Sequence, residues 1–547
     1  MSYDVLIIGF GPVGATAANL LARQGLRVGV VEAEFEIYDK PRALTFDHEV
    51  MRIFQACGLA ERIAQFTTPH PGTHYLGVDG SVIKKVDSLP PPYPLAWPPT
   101  LTFVQPQVER LLRDGVRGNP SVDVHLGYRG VALTQDYLGV ALSVRHVKQA
   151  KELVLRARVL LGCDGANSFV RRQLDIGLED LGFDEWWMVV DVRIREPCEL
   201  PPRCIQYCRP SRPATFVPGP GDLRRWEIKL LPGESPDEFG RRENVIEQIS
   251  RFVDPSRVEI WRSAVYRFHA LLARRWRDGR IFLLGDACHQ TPPFLGQGMC
   301  AGIRDASNLA WKLATVLQLG APDALLDSYE QERKAHVRSL VATAKQFGQI
   351  VGELDPEAAR IRDETLRQQL ERGEAETIRQ RFIPDLTSGI IDQHPRARAA
   401  GTLFVQPKIK LHARNETAVR EVLLDDLLQF RFLIAAATPQ AQQWLTPESR
   451  ELWRRLGGER VMIRQAGQGS SADRIDDADT PNLAEVDGLF ADWMRQNDCA
   501  AVVVRPDRYV FGTANDAGEL NRLVAAVGGH LLGSGVAVRG AQAGMSD

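Results

Sequence analysis

The feature that most restricts this chain is the run GFGPVG at residues 9–14, set between an apolar strand and a helix. The strand Asp4 to Ile8, the turn, the helix Pro12 to Gln24 and the strand Arg27 to Glu32 predict a β-α-β unit opening a parallel sheet. In such a unit Gly9 permits the tight turn, Gly11 lets the backbone approach a pyrophosphate, and Gly14 lets helix and strand pack closely. The helix N-terminus then faces the anion. Glu32 ends the second strand, where a carboxylate can accept ribose hydroxyls. The pattern points to a dinucleotide but does not separate NAD from FAD.

Two later blocks separate them. In LLGCDGANSFVRRQL, Asp164 and Gly165 turn the chain out of a strand, and Arg171 follows on a short helix. In RIFLLGDACHQTPPFLGQGMCAGIRDASNLAWKL, Gly285 and Asp286 end a buried strand, and the Asp286 carboxylate can accept a ribityl hydroxyl. Gly296 and Gly298 then present backbone NH groups at the start of a long helix, which stabilises the negative pyrimidine ring of a reduced flavin. Pro292 and Pro293 fix a rigid wall beside that ring. Taken singly, Asp164 and Asp286 read equally well as helix caps. All the blocks together, in this order, point to FAD.

At 547 residues the chain has room for several cores. Lys plus Arg 67 against Asp plus Glu 69 gives a formal charge of -2, so no basic field recruits nucleic acid or an anionic membrane. Met1 to Asp4 runs straight into VLIIG without a basic leader, and no apolar span is long enough for a membrane, so a cytoplasmic location is expected. The eight cysteines form no CxxC pair, and Cys198, Cys204 and Cys208 lack a fourth ligand at metal-site spacing; no metal is expected.

Along the chain, helices are expected near Asp47 to Cys57 and Val108 to Val116, with a proline-rich loop from Leu89 to Pro99. VDVHLG and LGVALSVRHV read as an antiparallel ribbon. Residues 183–268 alternate like a separate, aromatic-rich sheet domain, and RIFLLGD returns the chain to the first domain, which is therefore discontinuous (1–182 and 269–353). Residues 354–399 read as a charged helical linker, with no partner-binding reason to prefer, and 400–547 as a third, small α/β domain.

With these residues in view, the chain resembles the single-component FAD-dependent aromatic hydroxylases, the family that includes para-hydroxybenzoate hydroxylase and phenol hydroxylase. GFGPVG, CDGANSFVR and GDACHQTPPFLGQG carry the likeness. A closer likeness, to the branch acting on hydroxyphenylpropionates, rests on KPRAL, FVQPQVERLL, FLGQGMCAGIRDASNLAWKL and VVVRPDRYVFGT and spans nearly the full length. The resemblance implies an α/β fold: a Rossmann-like FAD-binding domain, an inserted β-sheet substrate domain and a C-terminal thioredoxin-like domain. It places Gly9, Gly11, Gly14 and Glu32 on the ADP moiety, Arg42 toward the pyrophosphate and Gln105 on the ribityl chain. Asp164 would lie near flavin and nicotinamide, Gly285 and Asp286 at the ribityl, and Pro293, Gly296, Gln297 and Gly298 along the ring. For Arg42 the plain alternative is a surface salt bridge, and for Gln105 a helix cap. Cys300 stands where many relatives have Asn, and Cys499 alone cannot run disulfide chemistry, which leaves the third domain a structural or dimer-supporting role, a homodimer being the assembly it allows.

The implied reaction is NAD(P)H-dependent, with NADH favoured: the reduced flavin activates O2 and one oxygen atom enters a phenol ortho to its hydroxyl. A small phenol is the expected partner, a hydroxyphenylpropionate first and a resorcinol-like, hydroxycinnamate or polycyclic phenol as alternatives. Proton-path candidates are His289, beside the flavin strand, and Tyr207 or Tyr266 in the sheet domain, with Pro293 at the reacting ring. Arg193, Arg195 and Arg209 are candidates for a carboxylate side chain. Two rivals are weaker. A flavin halogenase needs a WxWxIP segment, and WEIKLLP at Trp226 to Pro232 has a single Trp; a non-enzymatic FAD-fold escort has no need of the GQG helix end.

Overall fold

The computed structural model describes residues 2–395, 397–412, 419–465 and 481–533. The N-terminal apolar run forms the strand Ser2–Ile8 at the centre of the first sheet. Val28–Glu32 and Val122–Leu126 add parallel on one side, Glu152–Gly162 and Ile281–Leu283 on the other. VDVHLG is thus not part of the antiparallel ribbon, which Tyr128–Gln135 and Val140–His146 form instead. An alternating edge strand has the same period whichever partner it takes, so periodicity alone could not assign it.

Helices Pro12–Arg23, Gln105–Arg117 and Gly298–Leu319 cover this sheet. Buried Asn19 ties the first to the second through the Leu112 carbonyl at 2.8 Å. The long helix lies so close that a Cβ on Gly302 would meet Gly285 Cα at 2.9 Å and Val13 Cγ2 at 2.6 Å. Among the described residues no helix is long and apolar enough to cross a membrane.

The second sheet has eight strands, with Leu178–Ile194 paired between Val258–Ala273 and Leu223–Lys229. Its bounds differ from the expected 183–268. The ladder Leu178↔Ala273 begins before residue 183 and ends after 268, and Thr73–Leu76 and Val82–Val86 join the far edge. Strand alternation gives the sheet two unlike faces. The outer one, Met188, Val190, Ile205, Phe216, Trp226 and Ile228, is sealed by Phe239, Val245 and Ile249 from helices Pro236–Phe239 and Arg242–Ser250. The inner one, carrying Trp187, Asp191, Arg225, Glu227, Thr215 and Gln206, turns to the first domain.

The charged stretch expected as a linker is α-helical over Pro356–Glu371 and makes one 3-10 turn at Arg379–Phe382. It is stitched to the second sheet: Val78 N donates to Asp363 at 2.7 Å, Asp87 N to the Thr377 carbonyl at 2.6 Å, and Arg379 N to the Asp87 carbonyl at 2.9 Å. The described residues of the third domain include a seven-stranded sheet whose core, Glu459–Gln465 parallel to Leu433–Ala436 with Ala501–Val504 and Val510–Ala514 antiparallel beside it, is thioredoxin-like. Within this domain the helix Leu489–Gln496 follows the strand Asn482–Glu485, whose last residue accepts from Phe490 N and Ala491 N at 2.8 and 3.0 Å.

Candidate active site

The glycine turn has the geometry its spacing requires. Gly9 has φ +97°, and a Cβ on Gly14 would lie 2.0 Å from the Gly9 carbonyl, so neither position takes a side chain. Gly11 faces open space instead, with no atom within 4 Å of a built Cβ. It is also the N-cap of Pro12–Arg23, a helix with neither a side-chain cap nor an acidic first turn, so its NH groups await an external anion. Glu32 is drawn onto the turn: its carboxylate accepts from Phe10 N at 2.8 Å and Glu34 N at 2.9 Å and keeps lone pairs for hydroxyls. Gln105 uses its side-chain carbonyl to hold Arg42 N and Ala43 N at 2.8 and 2.7 Å. Arg42 itself is exposed and stacks over Tyr38.

Arg171 joins the second and third blocks, donating to the carbonyls of Ala287 and Ala166, each at 2.8 Å. Asp164 accepts from Ser168 Oγ at 2.5 Å and Val170 N at 3.0 Å, so its carboxylate caps the helix Phe169–Gln173, and burial lifts its pKa against those donors. Asp286 is reached by solvent yet ringed by protein, as a wall of a deep cleft would be. That surrounding mass raises its carboxyl pKa while His289 and Arg42 pull it down. Gly298–Leu319 likewise has neither a side-chain cap nor an acidic first turn, and a Cβ on Gly298 would again meet nothing within 4 Å. Gln297 is buried beneath: its amide donates to Asp47 at 3.0 Å and its carbonyl accepts from Arg304 at 2.8 Å. Pro293 is half-buried, and its neighbour Phe294 packs edge-on against Trp187 of the second sheet at 5.2 Å.

His289 is not placed to take a proton directly. Its ring is fully buried, with Nε2 2.7 Å from Asp305, which also binds Arg333 at 2.9 Å and Gly285 N at 3.1 Å. The pair holds the turn from behind. Tyr207 also lies elsewhere: strand alternation puts it on the outer face, 5.3 Å from Phe252. Tyr266 is on the inner face, with its hydroxyl bonded to Arg262. Of the arginines considered for a carboxylate, Arg193 is held by Asp222 and Arg195 by Glu259, and Arg209 lies over Tyr207 on the outer face.

The inner face instead carries a row of buried polar groups, Tyr75, Gln206, Thr215 and Glu227, in register on neighbouring strands. Thr215 donates to Gln206 at 2.6 Å. Burial raises the Glu227 carboxyl pKa, and Arg225, 3.9 Å away, lowers it. Asp191, Arg225 and Arg262 continue this face; both arginines donate to the Pro41 carbonyl, fixing the loop that carries Arg42. These positions were not singled out from the sequence, where their alternation is that of any strand.

Comparison with known proteins agrees with this geometry. A family model described as an FAD binding domain matches residues 2–344, and one described as the HcaD C-terminal domain matches 401–529. A 3-(3-hydroxy-phenyl)propionate/3-hydroxycinnamic acid hydroxylase of Paraburkholderia xenovorans is 33% identical, covering 94% of this chain and 89% of its own. A probable NADH-specific resorcinol 4-hydroxylase of Rhodococcus jostii is 34% identical, covering 96% and 95%. The chain belongs to the FAD-dependent aromatic hydroxylases.

Among solved structures, the flavin-dependent monooxygenase PieE in complex with FAD and substrate shares the hydroxylase's fold at TM-score 0.76, 21% identity, with 97% of this chain and 99% of that one covered. Aklavinone-11 hydroxylase, in a ternary complex with FAD and aklavinone, superposes at TM-score 0.74 and 22% identity over 97% and 99%. FAD suits the residues present in the hydroxylase. The open spaces at Gly11 and Gly298, two helix starts without caps, and the accessible but enclosed Asp286 form one cradle.

Proposed function

We propose that the hydroxylase adds one oxygen atom to a phenol ortho to its hydroxyl, converting 3-(3-hydroxyphenyl)propionate or 3-hydroxycinnamate to the 2,3-dihydroxy product with NADH as electron donor. The observation that carries this reading is the full-length likeness to enzymes named for those substrates, at 33% identity over 94% of the chain. NADH is supported by the resorcinol hydroxylase named as NADH-specific.

In this reading Gly9, Gly11, Gly14, Glu32 and Arg42 hold the ADP side of FAD, Gln105, Gly285 and Asp286 the ribityl chain, and Pro293, Gly296, Gln297 and Gly298 the ring. Asp164 would stand near the flavin and the nicotinamide when they are bound. Bound FAD, once reduced, supplies the activated oxygen. The protein's own part is to seat the phenol against Tyr75 and Gln206 and keep water out with the aromatic wall of Trp187, Phe268 and Phe294. Glu227, its pKa lifted by burial against the pull of Arg225, holds the phenol's proton on the same row.

The test is oxygen incorporation. Purified holoenzyme with NADH and 3-(3-hydroxyphenyl)propionate should form the dihydroxy product in step with NADH loss; NADH loss yielding only hydrogen peroxide would sink the substrate assignment. A second reading, a resorcinol-type phenol, is favoured by the Rhodococcus relative, and faster coupled product formation from resorcinol would select it.

A further inference from the structure

Arg379 is only 8% exposed, yet among the described residues no carboxylate pairs with it. Its Nη2 donates to the Leu295 carbonyl, while Nε is buried without a partner. Most other buried arginines are treated differently: Arg225 is held by Asp191, Arg304 by Asp47, Arg333 by Asp305 and Arg505 by Glu332. Arg171, which bonds only the Ala287 and Ala166 carbonyls, differs from Arg379 in leaving no buried nitrogen without a partner. A guanidinium shut away from water without a counter-charge is unfavourable, so a chain that keeps one has an anion to put beside it.

The surroundings show where that anion sits. A Cβ on Gly296, which opens the flavin loop, would lie 2.9 Å from Arg379 Nη2. The charge of Arg379 also reaches His70, Tyr75 and Cys204, on the substrate side, and Cys300, at the start of the long helix. None of these neutralises it. Burial, helped by Arg379 itself, drives the His70 pKa down to about 3, and burial raises the Tyr75 hydroxyl and holds the Cys204 and Cys300 thiols up at about 12. The backbone around Arg379 is fixed by its bond to Asp87, so the guanidinium is presented rather than trailing.

We propose that Arg379 is the oxyanion-binding residue of the aromatic substrate, its guanidinium pairing with the ring oxygen or the side-chain carboxylate of a phenol held between the flavin loop and the inner sheet face. The proposal rests on the phenol-hydroxylase reading above. At the ring oxygen, the pairing favours the form whose O–H proton has passed to the Glu227 carboxylate, and no change of oxidation state is involved. At a carboxylate it offers a forked donor pair.

The experiment is equilibrium titration of the oxidised holoenzyme, without NADH, following flavin absorbance. The ligands are 3-(3-hydroxyphenyl)propionate, 3-propylphenol, which lacks the carboxylate, and 3-phenylpropionate, which lacks the hydroxyl. Arg379→Gln should weaken the recognised ligands by at least about tenfold, with Arg379→Lys recovering part of the loss. Loss confined to the two carboxylates assigns the carboxylate; loss confined to the two phenols assigns the ring oxygen. Dissociation constants unchanged for all three, at full FAD content, would overturn the proposal. If Arg379→Gln loses FAD, Arg379→Met, which refills the volume with an apolar chain, carries the same comparison. If neither phenol binds the wild type, the phenol reading fails, and 3-phenylpropionate alone decides Arg379: binding lost in the variant supports it, and no binding to the wild type overturns it.

Discussion

The Tyr509 hydroxyl donates to Glu49 at 2.8 Å, and through this bond the third domain reaches the floor of the flavin site. Glu49 pairs with Arg304, and Arg304 holds both Asp47 and, at 2.8 Å, Gln297. All of these side chains are buried. Tyr509→Phe should leave a buried carboxylate short of a donor and cost about 2 kcal/mol of stability. Gln297 would then be held less firmly, so peroxide release per NADH should rise. Thermal melts and the ratio of peroxide to product check both.

Gly11 and Gly14 should fail in different ways. Gly11→Ala meets open space and should fold normally while weakening FAD binding by about tenfold or more, since the new methyl stands where the pyrophosphate approaches. Gly14→Ala would press against the Gly9 carbonyl and should lower the melting temperature of the apoprotein as well. Melting curves of both apoproteins, with FAD titrations, separate the two effects.

His289→Gln should destabilise the protein by about 1–3 kcal/mol, because Asp305 loses a buried partner. The pH profile of kcat should keep its shape. A profile that loses a limb would restore His289 as a proton acceptor.

Substitutions on the two faces of one strand should part company. Tyr207→Phe, on the outer face, should leave kcat/KM within about twofold. Gln206→Leu, one residue away on the inner face, should lower kcat/KM by about tenfold through a lost polar contact. Steady-state kinetics on coupled product formation measure both.

Glu332 predicts an acid limb of stability. Burial raises its carboxyl pKa, but Arg505 and Lys312 more than reverse this and bring it from 4.5 to about 2. Because the folded value is depressed, its contribution is complete above the unfolded value and is lost as pH falls from 4.5 toward 2. In Glu332→Gln, denaturant midpoints should depend less steeply on pH across that window.

Much of the cofactor side was legible in the sequence because its demands are local. A turn that must admit an anion needs glycine at set spacings, and Gly9, Gly14 and Gly296 stand where a positive φ or a close approach excludes a side chain. The substrate side was not legible for the opposite reason. Gln206 and Tyr207 are neighbours, and only the packing of the sheet tells which one turns to the first domain and which to Phe252 on the outer face. His289 looked available beside its strand, but Asp305, sixteen residues on, claims it. Arg379 lay in a charged run that resembles any solvated helix until its bond to Leu295 is seen.

That last contact bears on how the polypeptide can be cut or recombined. Residues 2–344 are the part recognisable as an FAD-binding domain, whereas the wall supplied by Thr377 to Arg379 lies beyond it and is laced to Asp87, far upstream. A fragment ending near residue 353 would hold the glycine blocks and both central sheets yet lack the segment that bonds Val78, Asp87 and the Leu295 carbonyl. A chimera that exchanges domains between relatives should therefore carry Pro356–Glu371 and the stretch through Arg379 with the second sheet, to which they are bonded, rather than treat them as a spacer.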